Sequence, residues 1–119
     1  MISKNQIKFI KSLQYKKNRL THRSFIVESH KNVLELLNSS YEVVQIFATK
    51  EWIKENKIAT SIVINELSQS DLQRISRLSN ASDVLAVVRI PNIIEKFIFK
   101  GVNIALDNIQ DPGNLGAII

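Results

Sequence analysis

Two groups of residues have types and spacing suited to chemistry. The first lies in Asn103–Ile119, NIALDNIQDPGNLGAII, where an apolar stretch empties into the polar turn Asp111-Pro112-Gly113-Asn114. In α/β folds a parallel strand delivers ligand-facing groups in this way, through the loop at its carboxyl end. Proline fixes φ, glycine permits a positive φ, and Asp or Asn caps the helix opened by LGAII. Gly116, lacking a Cβ, lets another backbone or a ligand come close. The same composition also makes a plain helix-entry turn, and spacing alone leaves both readings open. Asp107 and Asp111 flank the turn and read as structure.

The second group is cationic. Residues 1–31 hold eight Lys or Arg (Lys4, Lys8, Lys11, Lys16, Lys17, Arg19, Arg23, Lys31) against one acid, Glu28, a net charge of +7. The remainder holds eight basic residues against ten acids, a net −2, so the whole excess of +5 sits in the first quarter. Lysines and arginines that neutralise phosphates release counterions. Flexible ammonium groups and forked guanidiniums also suit a folded RNA backbone read by shape. The candidate contacts are Lys8, Lys11, Lys16, Lys17, Arg19 and Arg23. For Lys4, Lys8 and Lys11 the alternative is a solvated helix face. Lys16, Lys17, Arg19 and Arg23 have no acid between them and repel one another, which an anionic partner explains better. His22 either joins this surface or is a bland exposed side chain. Glu28 either pairs with the basic segment or is structural.

Other chemistries find no support. There is no cysteine, so disulfides and thiolate metal sites are excluded. His22 and His30 lie eight apart with no carboxylate cluster around them, so no metal site is expected. No Ser-His-Asp set, paired-carboxylate pattern or glycine-rich phosphate loop is present. No apolar run nears the roughly 20 residues that span a bilayer. The N-terminus alternates Lys with apolar residues and lacks a signal-peptide core. A cytoplasmic protein without a membrane partner is expected, and the missing cysteines fit a reducing compartment.

The elements that must position these groups follow from patterning. Ser3 and Gln6 predict a capping box opening a helix to about Gln14, with Lys4, Lys8 and Lys11 on one face and Ile7, Phe9, Ile10 and Leu13 on the rest. YKKNRLTHR reads as a basic loop and Ser24–Val27 as a strand. Val33, Leu34, Leu36 and Leu37 have helical spacing, ended by Asn38-Ser39-Ser40. His30 reads as capping or decorating that helix start. Val43–Ala48 is a strand, Glu51–Lys57 a short helix and Ser61–Ile64 a short strand. Ser70 or Asp71 caps a helix presenting Leu72, Ile75 and Leu78, and Val84–Val88 is a buried strand. This alternation predicts an α/β fold with a mostly parallel sheet and helices on both faces. Trp52, Phe25, Phe47 and Tyr41 read as core. A domain boundary is expected at 91–100, giving one domain over 1–95, which the resemblance described next would make RNA-binding, and the start of a second over 96–119, inside which the chain stops.

The run Asp107, Ile109, Asp111, Pro112, Asn114, Gly116, Ala117, Ile118 resembles the first motif of the SpoU-type (TrmH-like) branch of the SPOUT RNA methyltransferases. FIVE at 25–28, LAVV at 85–88 and the spacing of basic residues from Lys8 to Arg19 are similar to the N-terminal substrate-binding domain of that family. Ser29 departs from it, since the family usually has glycine there. The resemblance implies a three-layer α/β/α domain similar to ribosomal RNA-binding proteins. The first strand of a truncated trefoil-knot domain would follow. It implies an RNA ribose 2′-O-methyltransferase using S-adenosylmethionine, acting on rRNA or tRNA, and a full-length parent that is a homodimer. Asn114 would be catalytic, with an arginine expected beyond Ile119. The cofactor motifs lie outside this chain, so it is expected to bind no cofactor and to be inactive alone. Two other readings stay open: a non-catalytic RNA-binding or ribosome-associated module, and a protein-interaction domain acting through residues 97–119.

Overall fold

The computed structural model describes residues 1–92 and 100–119. Four strands, β1 (Ser24–Glu28), β2 (Val43–Ala48), β3 (Val63–Glu66) and β4 (Val84–Arg89), form one sheet in the order β1-β4-β2-β3. The helices are α1 (Lys4–Ser12), α2 (Lys16–His22), α3 (His30–Leu37), α4 (Lys50–Glu55), α5 (Gln69–Ile75) and α6 (Pro112–Ile118).

The sheet is mixed, not mostly parallel. β2 and β3 run parallel, but β4 is antiparallel to both of its neighbours, β1 and β2. The unbroken apolar run of β4 reports burial on both faces, and a central antiparallel strand meets that condition as well as a parallel one. Val84 to Val88 are all at most 2% exposed. Their side chains alternate between two clusters. Leu85 and Val87 join Ile10 and Leu13 from the α1 end and Leu72 and Ile75 of α5. Val84, Ala86 and Val88 join Val33 and Leu36 of α3 and Trp52 of α4. Each buried Val or Leu contributes about 1.5–3 kcal/mol by leaving water, so β4 anchors both sides.

Local signals account for the helix starts. Ser3 and Gln6 form the expected capping box, and Ile2 and Ile7 flank it in the same apolar cluster, stapling the entry of α1. α5 is capped by Ser68, earlier than expected, because Leu67 and Leu72 bracket that position in the core. The helix stops at Ile75, and Leu78 is 45% exposed, not in the buried face. β3 lies two residues later than expected, in register with β2 through Gln45–Val63 and Ala48–Glu66. Phe47 and Trp52 are core as expected, whereas Tyr41 is half-exposed and edges Phe25 at 6.0 Å.

The boundary expected at 91–100, between residues 95 and 96, falls on residues outside those described. The strand expected from Val102 to Asp107 is not formed, since those residues have no ladder partner among the described residues. α6 does form; Asp111 caps it by accepting the Gly113 N–H at 3.0 Å, with Pro112 at its first position.

Ser29, the residue departing from the family pattern, has φ 89° and ψ 144°. Side chains avoid that region at a cost of about 1–3 kcal/mol. Its hydroxyl accepts the Asn32 N–H at 3.4 Å, a long cap bond. Replacing a serine cap by glycine loses only about a few tenths of a kcal/mol. Ser29→Gly is therefore expected to stabilise the protein by about 1 kcal/mol, and Ser29→Ala to destabilise it. Urea unfolding midpoints check both; equal or lower stability for Ser29→Gly contradicts the strain.

Candidate nucleic-acid interface

The basic N-terminus is built on two helices, where the sequence suggested one helix and a loop. Residues 16–22 form α2, which buries none of its residues and so shows no apolar period. Its position is set by polar ties to the end of α1. The Asn18 amide donates to the Ser12 carbonyl at 3.1 Å. Arg19 Nη1 donates to the carbonyls of Leu13 at 3.1 Å and Gln14 at 2.7 Å. A helix end leaves carbonyls unpaired, and a guanidinium is a strong donor for them. The spread of basic residues hid this helix; Asn18 and Arg19, just past the end of α1, were the available signal.

α1 turns Ile10 to the core, with Leu13 directly after it, and leaves Lys4, Lys8 and Lys11 exposed along one face. Lys16 and Lys17 are exposed on α2. The ion pairs among the described residues are Arg74–Asp71 and Arg89–Glu42, each at 3.1 Å, and neither involves α1 or α2. The five lysines thus lie on two adjoining helices without a carboxylate partner among the described residues.

The two arginines differ from the lysines. Arg19 is half-buried against the end of α1. Arg23 is the C-cap of α2 in the left-handed conformation, φ 50°. Its Nη2 reaches the carbonyls of Ile90 at 3.3 Å and Pro91 at 3.1 Å, and the Asn92 side-chain oxygen. The Ile90 N–H returns a bond to the Arg23 carbonyl at 2.8 Å. Mutual repulsion among these cations is thus relieved in part by backbone oxygens.

Glu28 makes no ion pair with the basic segment among the described residues. Its carboxylate accepts the Ser76 hydroxyl and, at 2.9 Å, the Arg77 N–H, latching the chain after α5 to the end of β1. His22 edges Phe9 at 5.1 Å. His30 opens α3 and accepts the Trp52 indole N–H at 2.8 Å. No group of three or more His, Asp or Glu that could hold a metal occurs among the described residues. No helix among them is long and apolar enough to cross a membrane.

Asn114 is exposed in the first turn of α6, a helix that buries none of its residues. Nothing lies within 4 Å of a Cβ built on Gly116, so the expected close approach is not made here. The structure sets the lysines out, exposed, on two consecutive helices but does not join Asn114 to them.

Residues 4–86 match the family profile described as the MRM3-like substrate binding domain. The chain belongs to that family. It is 30% identical over 118 residues to the 23S rRNA (guanosine(2553)-2′-O)-methyltransferase RlmP of Bacillus subtilis (strain 168), covering 98% of this chain and 47% of the relative. A solved structure of a candidate TrmH-family RNA methyltransferase from Porphyromonas gingivalis is 35% identical with a TM-score of 0.83, covering 99% of this chain and 47% of that one. The AdoMet-bound rRNA methyltransferase from Sinorhizobium meliloti shares the fold at a TM-score of 0.60 and 23% identity, covering 75% of this chain and 35% of that one. The chain is thus homologous to RNA 2′-O-methyltransferases and spans about half the length of RlmP and of the Porphyromonas protein.

In this MRM3-like domain the arginine geometry separates two roles. Arg23→Ala is expected to destabilise the fold by about 1 kcal/mol, since it keeps the left-handed backbone and loses the guanidinium contacts. Arg23→Gly, which relieves that backbone, is expected to be milder. Neither is expected to weaken RNA binding as much as Lys16→Ala with Lys17→Ala. Chemical unfolding and anisotropy titration with a labelled RNA stem-loop measure both effects, and a larger RNA effect at Arg23 would reverse the assignment.

Proposed function

We propose that this chain is the RNA-gripping domain of an S-adenosylmethionine-dependent RNA ribose 2′-O-methyltransferase acting in the cytoplasm, with rRNA as substrate ahead of tRNA. The observation that carries the RNA role is the set of five exposed lysines on α1 and α2, without carboxylate partners among the described residues. The family match and the names of RlmP and the other relatives support the reaction class. The unit over 1–95 supplies RNA recognition. The unit from residue 96 begins a catalytic domain of knotted topology, and the whole enzyme works as a homodimer.

Asn114 is the catalytic residue that this reading places in the chain, by its position in the motif at 107–118. When bound, S-adenosylmethionine would supply an electrophilic methyl group to a ribose oxygen. This reading assigns none of residues 100–119 to holding it. Beyond Asn114, no step of the transfer is assigned to residues of this chain. On this reading, the 119 residues alone bind RNA and do not methylate it.

The lysine surface makes a quantitative statement. For every phosphate that is no longer neutralised, the slope of log K against log salt should fall by about 0.7–0.9. The chain is expected to bind structured RNA with micromolar or weaker affinity that falls as salt rises. Replacing Lys8, Lys11, Lys16 and Lys17 by alanine should flatten that slope by about 3. Anisotropy titrations from low to physiological salt check this. Absent binding at low salt, or salt-independent binding, would sink the RNA role.

A further inference from the structure

β1 is an edge strand: its only ladder among the described residues is with β4. The Ile90 N–H bonds to the Arg23 carbonyl, which fixes the register of hydrogen bonding along the pair. In an antiparallel ladder, bonded and non-bonded pairs alternate. Phe25 and Val27 therefore face β4 with their backbone groups, while Ile26 directs its N–H and carbonyl outward. The Arg89 N–H, bonded to the Glu42 carbonyl on the other side of β4, agrees with that alternation.

Ile26 opens onto a groove lined also by Leu13, Arg19, Phe25, Arg77 and Leu78, with Glu28 beside them. Its chemistry is threefold. Leu78 is 45% exposed and supplies an apolar wall. Arg19 Nη1 donates to the Leu13 and Gln14 carbonyls, which holds a planar guanidinium at the groove wall. The exposed Arg77 is fixed at its backbone by Glu28, whose carboxylate also takes the Ser76 hydroxyl.

We propose that this groove receives a single unpaired nucleobase of RNA. The Ile26 N–H and carbonyl would read its hydrogen-bonding edge, Leu78 and the Arg19 plane its faces, and Arg77 an adjoining phosphate. A donor and an acceptor on one residue match the paired acceptor and donor on a base edge. Proteins that read RNA sequence do so on splayed, unstacked bases held against planar or apolar side chains. Charge complementarity favours a polyanion, since α1 and α2 adjoin the groove through Leu13 and Arg19. The proposal rests on the RNA-binding reading above and adds to it a preference for unpaired nucleotides, which the lysine surface alone does not confer.

The test compares two probes on the intact 119-residue chain: an RNA hairpin with an unpaired loop, and a blunt RNA duplex with the same stem. Leu78→Ser and Arg77→Ala alter exposed side chains, and circular dichroism confirms that each still folds. Each is expected to weaken hairpin binding by about tenfold, within what one stacked base supplies, and to leave duplex binding nearly unchanged. The Ile26 amide resonance of the wild-type chain should shift with the hairpin and not with the duplex. Equal effects on both probes, no effect on either, or an Ile26 amide unmoved by a bound hairpin would overturn the groove while leaving RNA binding intact. Failure of both probes to bind the wild-type chain at low salt would overturn the RNA reading and the groove with it.

Discussion

The structure depends on the two-sided burial of β4. A strand packed on both faces needs an apolar layer above and another below, and Val84 to Val88 supply both by simple alternation. That demand places α1 and α5 on one side and α3 and α4 on the other. It also puts β1 and β3, the shorter strands, at the edges. No buried side-chain polar atom lacks a partner among the described residues, so this core is apolar without a polar defect to relieve.

The cationic surface follows from the same constraint. Ile10 and Leu13 must reach the cluster under Leu85 and Val87, and the helical period then turns Lys4, Lys8 and Lys11 outward. Because Leu13 is fully buried at the end of α1, the carbonyls there need donors that the core cannot supply. Arg19 and Asn18 supply them, and in doing so place α2 with Lys16 and Lys17 beside α1. Charge that would otherwise disfavour a compact state is partly absorbed by backbone oxygens and is partly displayed to solvent, where a polyanion can use it.

Much of this was legible in the sequence, for reasons that differ by element. The cap of α1, strand β2 and the buried run of β4 carry local signals strong enough to survive any tertiary setting. Strand direction was not legible, because two-sided burial is blind to polarity. α2 was hidden because it is held by hydrogen bonds to another helix and not by an apolar face. The roles of Arg19, Arg23 and Glu28 were hidden for the same reason. Their partners are the carbonyls of residues 13–14, the oxygens of residues 90–92, and the polar groups of residues 76–77, which no periodicity in the neighbouring sequence encodes. The lysines were read more easily, since a charge needing only solvent or an anion leaves its mark in composition alone. Asn114 remains legible only through its motif, for α6 buries nothing that would define its surroundings.

Strain is concentrated at the two ends of β1. Arg23 precedes the strand at φ 50° and Ser29 follows it at φ 89°, two of the three non-glycine residues with positive φ among those described. Such residues persist where the surroundings over-determine them. At Arg23 they do so through the guanidinium and the reciprocal backbone bond to Ile90; at Ser29 the backbone carbonyl accepts the Val33 N–H, and the side chain adds only a long cap bond. The asymmetry indicates that Arg23 is where a side chain matters and Ser29 is where one is merely tolerated. β1 is thereby held at both ends in a fixed frame, with Arg23 tying its start to the exit of β4 and Glu28 tying its end to the segment after α5. An edge strand so fixed keeps its outward backbone groups in register without a further strand beside it. A rigid open edge of that kind can read a ligand, whereas a loosely held one would tend to pair with whatever strand it met.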